Sequence, residues 1–389
     1  MDASYVCSCQ DVFDLLVSEG ADVSLKDDYS NTVFQSACVG GNLSIVECLL
    51  PKSEVNSSDY LGRTALMKAA ESGHIHVFDF LVSQKLDLEL TDHFSNTVLH
   101  FACEGGNVAI LEHLLTTPDL NARGTNGWSP VMVASRFGKS DVFNLLVSKE
   151  VNLNLTDEHG NNMLHLAYQG GDMSITEHLL PLFDINSRGQ DGRTAVMYAA
   201  VNRVKSVFDL LVSEGADTSL KDDHSNSVFH LACLGGNKSI VEQLLPHVDI
   251  NSLGDSGRTA IMKAASVRNK SVFDFLVSKN ADLKVIDDYR DSVLHSACKG
   301  GGSTIVQCVL QMFDINTRGK KGLTPAMIAA SLGNRHVHVS QQANLTIADD
   351  YGNNVPHLAC QGGNRSIIKH LLPLFDINTR GQDGRTPVM

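Results

Sequence analysis

The sequence predicts an all-α solenoid built from stacked helix–turn–helix units. Glycine recurs every 65 residues, and each 65-residue block divides into two related halves of about 33 residues. Both halves carry apolar residues at helical spacing. A helix pair this short cannot bury an apolar face alone, so each unit needs neighbours to cover it. The repeating glycines are Gly62, Gly127, Gly192, Gly257 and Gly322, and Gly384 follows after 62 residues.

The two halves, named type A and type B, differ in how their helices end. In the type B half at residues 189–220, Thr194 is placed to cap a first helix, and residues 207–212 predict a second helix. Gly215 then stands where a left-handed residue can end that helix. In type A halves, such as residues 222–252, we expect the second helix to stop at proline, which cannot continue a helix. These prolines are Pro51, Pro181, Pro246 and Pro373.

This repeating pattern resembles the ankyrin repeat. Typical strings are VLHFACEGGN from Val98, VFHLACLGGN from Val228, and LLVSEGAD from Leu15 and Leu210. The resemblance covers residues 11–389 as a leading half-unit, about eleven units and a truncated last unit, with residues 1–10 as an N-terminal segment and partial cap. It implies an ankyrin-repeat solenoid with β-hairpin-like loops, which binds partners without catalysis.

Two departures from the family pattern fall at positions that we expect to be buried. Type B halves replace the usual His by Met, and type A halves usually place Cys where Ala is commoner; both side chains suit a packed core. The methionines are Met67, Met132, Met197, Met262, Met327 and Met389. The cysteines are Cys38, Cys103, Cys233, Cys298 and Cys360.

The His-x-x-Cys pairs, such as His100 and Cys103, offer two zinc ligands on one helical turn. A structural zinc site needs four ligands, and equivalent repeats would lie roughly 20 Å apart at a helix spacing of about 10 Å. The resemblance implies instead that this His hydrogen-bonds between neighbouring loops. Five near-copies of one helix are not expected to be five active sites. We therefore expect no enzyme, metal, cofactor or small-molecule substrate.

Composition narrows the class of protein further. The 389 residues carry a formal net charge of −13, which disfavours binding to a phosphate backbone. No apolar run reaches the length of a membrane span, so we expect no membrane insertion. The nine cysteines are an odd number and lie mostly in helical patterns. Free thiols of this kind fit a reducing compartment, and we expect a cytoplasmic protein, with the nucleus as the other location.

The loops before the first helices are the best candidates for partner binding. The loop before a type A first helix, called an A tip, carries an aromatic residue or His two positions before a repeating Asn. The loop before a type B first helix, called a B tip, usually carries Arg, but Trp128 breaks that pattern near Arg136 and Phe137. Tyr, Trp and Arg dominate interface energetics. The A-tip candidates are Tyr29, Phe94, His159, His224, Tyr289 and Tyr351, and the B-tip candidates are Arg63, Trp128, Arg193 and Arg258.

Repeat duplication offers a second explanation for these rows, because near-identical loops are copied together with the fold. The sequence leaves both explanations open for the row as a whole. Trp128 is the sharpest single candidate, since it is the only tryptophan in the chain.

The sequence thus predicts a scaffold or adaptor that binds a protein along its tips and concave first helices. Two alternatives remain, namely the recognition portion of a larger enzyme or signalling receptor, and a mechanical tether. The array begins at a second helix and stops inside a first helix, so we expect a piece of a longer protein.

The 62-residue step locates a three-residue deletion. Other type B halves read like SVFDFLVSKNADL, whereas residues 336–345 read HVHVSQQANL, which removes nearly one helical turn. A sequence error would give the same pattern. If the deletion is real, we expect a weak joint, with amide hydrogen exchange faster at residues 334–346 than in the central units. Equal protection in the two regions would contradict the joint.

Overall fold

A computed structural model describes residues 3–115, 119–334, 343–363, 365–374, 376, 378–381 and 384–387, with the side chains of residues 3–9, 52 and 370 excluded. Its contacts group into two compact units, residues 1–190 (unit 1) and residues 191–389 (unit 2). Within the described residues both units consist of helices joined by short loops, and no extended strand forms. The predicted all-α class is confirmed.

In the described part of unit 1, one long helix, α1 (Ala3–Ser18), precedes five helix pairs. The first helices are α2 (Val33–Gly40), α4 (Ala65–Ser72), α6 (Val98–Gly105), α8 (Pro130–Arg136) and α10 (Met163–Gly170). The second helices are α3 (Leu43–Leu49), α5 (Ile75–Ser83), α7 (Val108–Leu114), α9 (Ser140–Ser148) and α11 (Met173–Leu179). Helix α1 runs through the boundary predicted between residues 10 and 11, and that boundary stays a prediction.

Unit 2 repeats the same arrangement over its described residues. The first helices are α12 (Ala195–Val201), α14 (Val228–Gly235), α16 (Ala260–Ser266), α18 (Val293–Gly300), α20 (Pro325–Ser331) and α21 (Val355–Gln361). The second helices are α13 (Lys205–Ser213), α15 (Lys238–Leu244), α17 (Lys270–Ser278), α19 (Ser303–Leu310) and α22 (Arg365–Leu371).

The predicted weak joint falls mainly on residues 335–342, which lie outside the described residues, so it stays a prediction. On its C-terminal side, Ala343, Leu345 and Ile347 pack against a buried cluster that includes Met327 and Val355. The stacking of α20 on α21 therefore continues past the deletion.

The boundaries of the helices follow from the residues that occupy them. Thr32 caps α2, because its Oγ1 accepts a hydrogen bond from the backbone N–H of Gln35 at 3.1 Å. Helix α2 ends at Gly41, which takes the left-handed conformation with a φ of 72°. Asn42 directly caps the next helix, α3, through the backbone N–H of Ile45 at 3.2 Å. A few residues thus reverse the chain between the two helices.

The predicted end of α13 is confirmed. Gly215 has a φ of 90°, and its N–H donates to the Val212 carbonyl at 3.2 Å, while the Ala216 N–H donates to the Leu211 carbonyl at 2.9 Å. These two bonds form a Schellman motif. In four type A pairs the second helix stops two residues before proline, and the proline enters a single 3-10 turn, as predicted. These turns are Leu50–Lys52, Leu180–Leu182, Leu245–His247 and Leu372–Leu374.

The capping prediction for Thr194 is wrong. Thr194 occupies the N-cap position of α12, but its side chain makes no capping hydrogen bond. At the equivalent Thr64 and Thr324 the corresponding bonds to backbone N–H groups measure 3.4 and 3.3 Å. These bonds are long, so a small displacement of the hydroxyl is enough to lose one.

The core of each unit lies between neighbouring helix pairs. Within each unit, first helices pack against adjacent first helices and second helices against adjacent second helices. Each type B second helix from α5 to α17 contributes one Phe to this core, and burial of such a side chain stabilises by about 1.5–3 kcal/mol. These residues are Phe78, Phe143, Phe208 and Phe273, each at most 2% exposed.

The core positions predicted for Met and Cys are confirmed, with one partial exception. Cys360 is only partly buried, and Met389 lies outside the described residues. The side chains that are at most 1% exposed are Met67, Met132, Met197, Met262, Met327, Cys38, Cys103, Cys233 and Cys298.

The tips are hairpin-like loops closed by isolated bridges rather than strands, such as Lys26 with Thr32 and Ser58 with Thr64. The glycine that repeats every 65 residues lies in the B tip. Gly62 has a φ of 84°, and a Cβ there would lie 2.7 Å from the His93 ring of the next A tip. The period therefore reflects a left-handed turn at a position where the next loop comes close.

We expect substitution of the glycine that ends a type A first helix to destabilise the array. A Cβ on Gly235 would lie 2.4 Å from the Val201 carbonyl oxygen of α12, whereas at Gly40, its equivalent in α2, nothing lies within 4 Å. Gly235→Ala should lower the free energy of unfolding by about 1–3 kcal/mol, because the packed helices must separate. The matched Gly40→Ala should be neutral or stabilise by up to about 1 kcal/mol. Urea titrations of the full chain measure both, and equal effects would contradict this packing argument.

Candidate partner-binding surface

A carboxylate organises each A tip, and it is buried in every A tip except the first, where Asp27 is exposed. In the tip before α6, Asp92 Oδ1 accepts hydrogen bonds from the backbone N–H groups of Phe94 at 2.9 Å and Asn96 at 2.8 Å. Asp92 Oδ2 also accepts from Asn96 Nδ2 at 2.9 Å. The Asp92 side chain is thus fully committed to holding its own loop.

The residue at the repeating Asn position joins the A tip to the following B tip at positions 96, 161, 226 and 291. Asn96 Oδ1 accepts from the Thr125 N–H at 2.9 Å, and Asn96 Nδ2 donates to Thr125 Oγ1 at 2.7 Å. Gly124 makes room for this contact, because a Cβ there would lie 2.2 Å from Asn96 Oδ1. The 65-residue step in Asn is therefore structural. Equivalent bonds reach Asn161 from Gln190 N at 2.9 Å, Asn226 from Asp255 N at 3.0 Å and Asp291 from Lys320 N at 2.8 Å.

The first-helix His makes a second link between loops, as the resemblance implied. His100 Nδ1 accepts from the Thr97 backbone N–H at 3.1 Å, so the proton lies on Nε2, which donates to the Trp128 carbonyl at 3.1 Å. Burial lowers the pKa of His100. In the other type A units the Nε2 partners are the carbonyls of Ser187 for His165, Ser252 for His230, Thr317 for His295 and Thr379 for His357, at 2.9–3.1 Å.

Other residue types fill the same position where His is missing. Gln35 Oε1 accepts from the Thr32 N–H at 3.0 Å, and its Nε2 donates to the Ser57 carbonyl at 2.9 Å, so Gln35 makes both kinds of bond that His makes. In type B units the Met67 sulfur accepts only the first bond, from the Thr64 N–H at 3.5 Å. Methionine thus makes one of the two hydrogen bonds that histidine makes at this position.

The aromatic row of A tips lies on the surface in both units. The side chains project from loops whose backbone is held by the A-tip carboxylate, so they need little ordering to make contacts. All six candidates are exposed, namely Tyr29 (61%), Phe94 (51%), Tyr289 (40%) and Tyr351 (48%), with His159 and His224.

The B-tip candidates have a structural role. Several of them donate to the buried carboxylate of the A tip that lies 29 residues later, and Trp128 uses its indole N–H where other tips use the guanidinium of Arg. The bonds join Arg193 Nε to Asp222 Oδ2 at 3.4 Å, Arg258 Nε to Asp287 Oδ2 at 3.0 Å, and Trp128 Nε1 to Asp157 Oδ2 at 3.1 Å. Sequence reasoning missed this role, although the constant spacing of 29 residues was available as a signal.

Arg136 and Phe137, the predicted neighbours of Trp128, have different surroundings in the structure. The Arg136 guanidinium carbon lies 4.3 Å from the Trp128 ring centroid, and burial lowers the pKa of Arg136. Phe137, the next residue, is 42% exposed. Trp128 itself is only partly buried, so one aromatic face is covered by Arg136 and the indole N–H is used by Asp157.

The first helices of unit 1 present mixed charges next to the tips. Arg63 is partly buried, with Nη1 3.5 Å from Glu71 Oε2 and its guanidinium carbon 5.0 Å from the Phe101 ring centroid. Burial, and then the nearby Glu71 carboxylate, raise the pKa of Glu104. This face offers paired charges of both signs.

One exposed aromatic residue was missed from the sequence. Tyr60, in a B tip, is 53% exposed, and its ring centroid lies 5.6 Å from that of Tyr29. Backbone hydrogen bonds link Tyr60 N to Tyr29 O at 3.1 Å and His93 N to Leu61 O at 2.9 Å. Tyr29, Tyr60 and Phe94 therefore stand on three consecutive, connected tips, a group called here the aromatic tips.

The buried cysteines are poorly suited to chemistry. Burial raises the pKa of Cys38 and Cys298 to about 12, and raises that of Cys103 and Cys233 further, so these thiols stay protonated. Among the described residues no group of three or more His, Cys, Asp or Glu side chains could hold a metal ion. Over the same part of the chain, the helices are all too short or too polar to span a lipid bilayer.

Helix pairs stacked on their neighbours and tied together by bridged tips define a tandem helix-pair repeat protein. A family model for ankyrin repeats in three copies matches residues 1–92, 84–157, 132–222 and 205–287. The chain therefore belongs to the ankyrin-repeat family, as the resemblance suggested. The ankyrin repeat is a non-catalytic protein-interaction fold.

Several larger proteins contain similar stretches. Human transient receptor potential cation channel subfamily A member 1 is 23% identical over 395 residues, which cover 92% of this chain and 34% of the channel. Chicken nuclear factor NF-kappa-B p105 subunit is 27% identical over 191 residues, covering 46% of this chain and 19% of that protein. Alpha-latrotoxin-Lt1a of Latrodectus tredecimguttatus is 31% identical over 133 residues, 33% of this chain and 10% of the toxin. The chain spans about a third or less of each relative.

The buried histidines predict a loss of stability in acid. Burial lowers the pKa of His100, His230 and His295 from the usual 6.5, so the unfolded chain binds more protons just below that pH. Their contribution is complete above about pH 6.5 and is lost as the pH falls through their lower folded-state pKa. Gln35 shows that Gln can make both bonds without titrating.

We therefore expect the triple variant His100→Gln, His230→Gln, His295→Gln to keep most of its stability at neutral pH and to lose less between about pH 7 and pH 5. Asp92 near His100 opposes the shift, whereas Lys221 and Lys263 near His230 add to it. Thermal denaturation against pH measures the slope. His76→Gln, on an exposed helix surface, is the control and should leave the slope unchanged. A triple variant as acid-sensitive as the natural chain would refute this account.

Proposed function

We propose that the chain is a non-catalytic scaffold or adaptor, which binds a protein partner along its tips and the adjoining first helices. The observation that carries this proposal is the row of exposed aromatic A-tip residues on loops that are already ordered. Exposed aromatic side chains on a rigid support lose little conformational entropy on binding. The mixed charges of Arg63, Glu71 and Glu104 beside the tips add polar partners at the rim of such an interface.

A second candidate function is that of the recognition portion of a larger protein. The relatives are a cation channel, a nuclear-factor subunit and a latrotoxin, and all are much longer than the matched stretches. In that case the tips would select a partner, and another part of the protein would act on it. Both readings require the same binding surface.

The proposal also includes the cellular location of the protein and the class of its partner. The buried, protonated thiols support a reducing compartment, either the cytoplasm or the nucleus. The net charge of −13 argues against nucleic acid as the partner, because that binding needs concentrated Lys and Arg.

Affinity capture with the full chain, followed by a binding titration of the captured protein, tests this function. We expect the double variant Tyr29→Ser, Phe94→Ser to bind at least about tenfold more weakly, since central aromatic contacts contribute about 2 kcal/mol or more. The control is Val277→Ser, which removes an exposed apolar side chain from the second helix α17 and should change nothing.

Trp128→Arg tests the most specific sequence candidate separately. Arg at this position can keep the bond to Asp157, as Arg258 does with Asp287, so the fold should persist. Weaker binding would make Trp128 a contact residue, and unchanged binding would leave it a structural one. A mechanical tether should retain full binding in every variant, and that outcome would refute the scaffold function.

A further inference from the structure

In unit 2, two aromatic A-tip residues each lie close to a lysine ammonium group. Lys320 Nζ lies 3.7 Å from the ring centroid of Tyr289, and Lys321 Nζ lies 5.6 Å from that of Tyr351. Both lysines belong to the B tip between these two A tips. An ammonium group within about 6 Å of a ring centroid is attracted by the negative face of the ring. The chain therefore fills the aromatic positions of unit 2 with its own lysines.

The equivalent positions in unit 1 are open. Tyr29 precedes Tyr289 by 260 residues, and Tyr60 stands 260 residues before Lys320. Where unit 2 has a lysine ammonium, unit 1 has a second exposed aromatic ring. Leu61 likewise stands in the place of Lys321, beside Phe94. Among the described side chains, no lysine or arginine lies over the rings of the aromatic tips.

A counter-charge accompanies these rings. Asp27 and Asp28 precede Tyr29, and both are exposed. In unit 2 the equivalent of Asp28 is Asp288, before Tyr289, and the next A tip carries Asp350, which is paired with Arg318 at 2.8 Å. The net charge of −13 also favours the approach of a positively charged partner. Unit 1 thus offers ring faces, which unit 2 covers with its own lysines, next to the exposed carboxylate of Asp28.

We propose that the aromatic tips, Tyr29, Tyr60 and Phe94, bind a lysine- or arginine-rich segment of the partner protein. The cationic groups lie over the ring faces as Lys320 lies over Tyr289, and Asp28 supplies the opposite charge. This inference rests on the proposed function and adds the chemistry of the partner to it. It also assigns the binding site to unit 1.

The probe is a synthetic peptide in which Lys and Gly alternate, titrated into the full chain and followed by calorimetry or tyrosine fluorescence. Peptides with Glu in place of Lys, and with uncharged Pro and Ala, serve as comparisons. We expect only the Lys peptide to bind, and to bind more weakly as salt is raised. Tyr29→Leu keeps an apolar side chain without the ring and should weaken binding about two- to fivefold.

A variant that gains a binding site provides a second test, because unfolding of a variant can cause a loss of binding but not a gain. Lys320→Gln and Lys321→Ser introduce the residues that other repeats carry there, Gln190 and Ser256. This double variant frees Tyr289 and Tyr351, so the number of bound peptides should rise from one to two per chain. Val277→Ser, on the exposed surface of α17 and outside the tips, is the control and should not change binding.

Three outcomes would each overturn the inference. They are binding of the Glu peptide or the uncharged peptide as tight as that of the Lys peptide, unchanged binding by Tyr29→Leu, and an unchanged number of bound peptides in the Lys320→Gln, Lys321→Ser variant. The proposed function fails separately, when the captured partner binds the tip variants as tightly as the natural chain. A partner that needs the tips but shows no preference for cationic residues would leave that function standing and remove only this inference.

Discussion

The array depends on buried polar bonds that tie neighbouring tips together. The carboxylate of Asp92 collects the N–H groups of its own loop, and Asn96 passes the connection to Thr125 in the following tip. Buried polar groups are tolerated only when they are hydrogen-bonded. Neighbouring helix pairs can therefore slide or separate only by leaving several of these groups unpaired. Apolar packing brings the pairs together, and the tip bonds fix their spacing.

This constraint explains why some positions vary and others do not. The first-helix position held by His100 accepts Gln35 and Met67, because each supplies an acceptor for the N–H of the residue three positions earlier. The glycine that ends the type A first helix meets the backbone of its neighbour, so at Gly235 no side chain fits. The tolerance of a position follows from the groups that it must satisfy.

Much of the fold was predictable because its signals are local and repeated. The period, the stops before Pro51 and Pro181, and the left-handed end at Gly215 all depend on a few adjacent residues. The candidate site was less predictable. The sequence marked Trp128 as unusual, but its bond to Asp157 joins residues 29 positions apart and appears only when two tips are adjacent. Tyr60 was missed for the same reason, since its importance comes from its place beside Tyr29.

Two explanations were left open for the rows of tip residues, namely partner binding and repeat duplication, and they apply to different rows. Arg193, Arg258 and Trp128 make a bond between stacked neighbours, so duplication of the fold is sufficient to explain their recurrence. No such bond fixes the A-tip rings, because it is the backbone of Tyr29, and not its ring, that the loop holds. An exposed ring that the fold does not use must be explained by something outside the fold or by chance. The internal lysine over Tyr289 shows that such a ring can hold a cationic group, which is the role proposed for the open rings of unit 1.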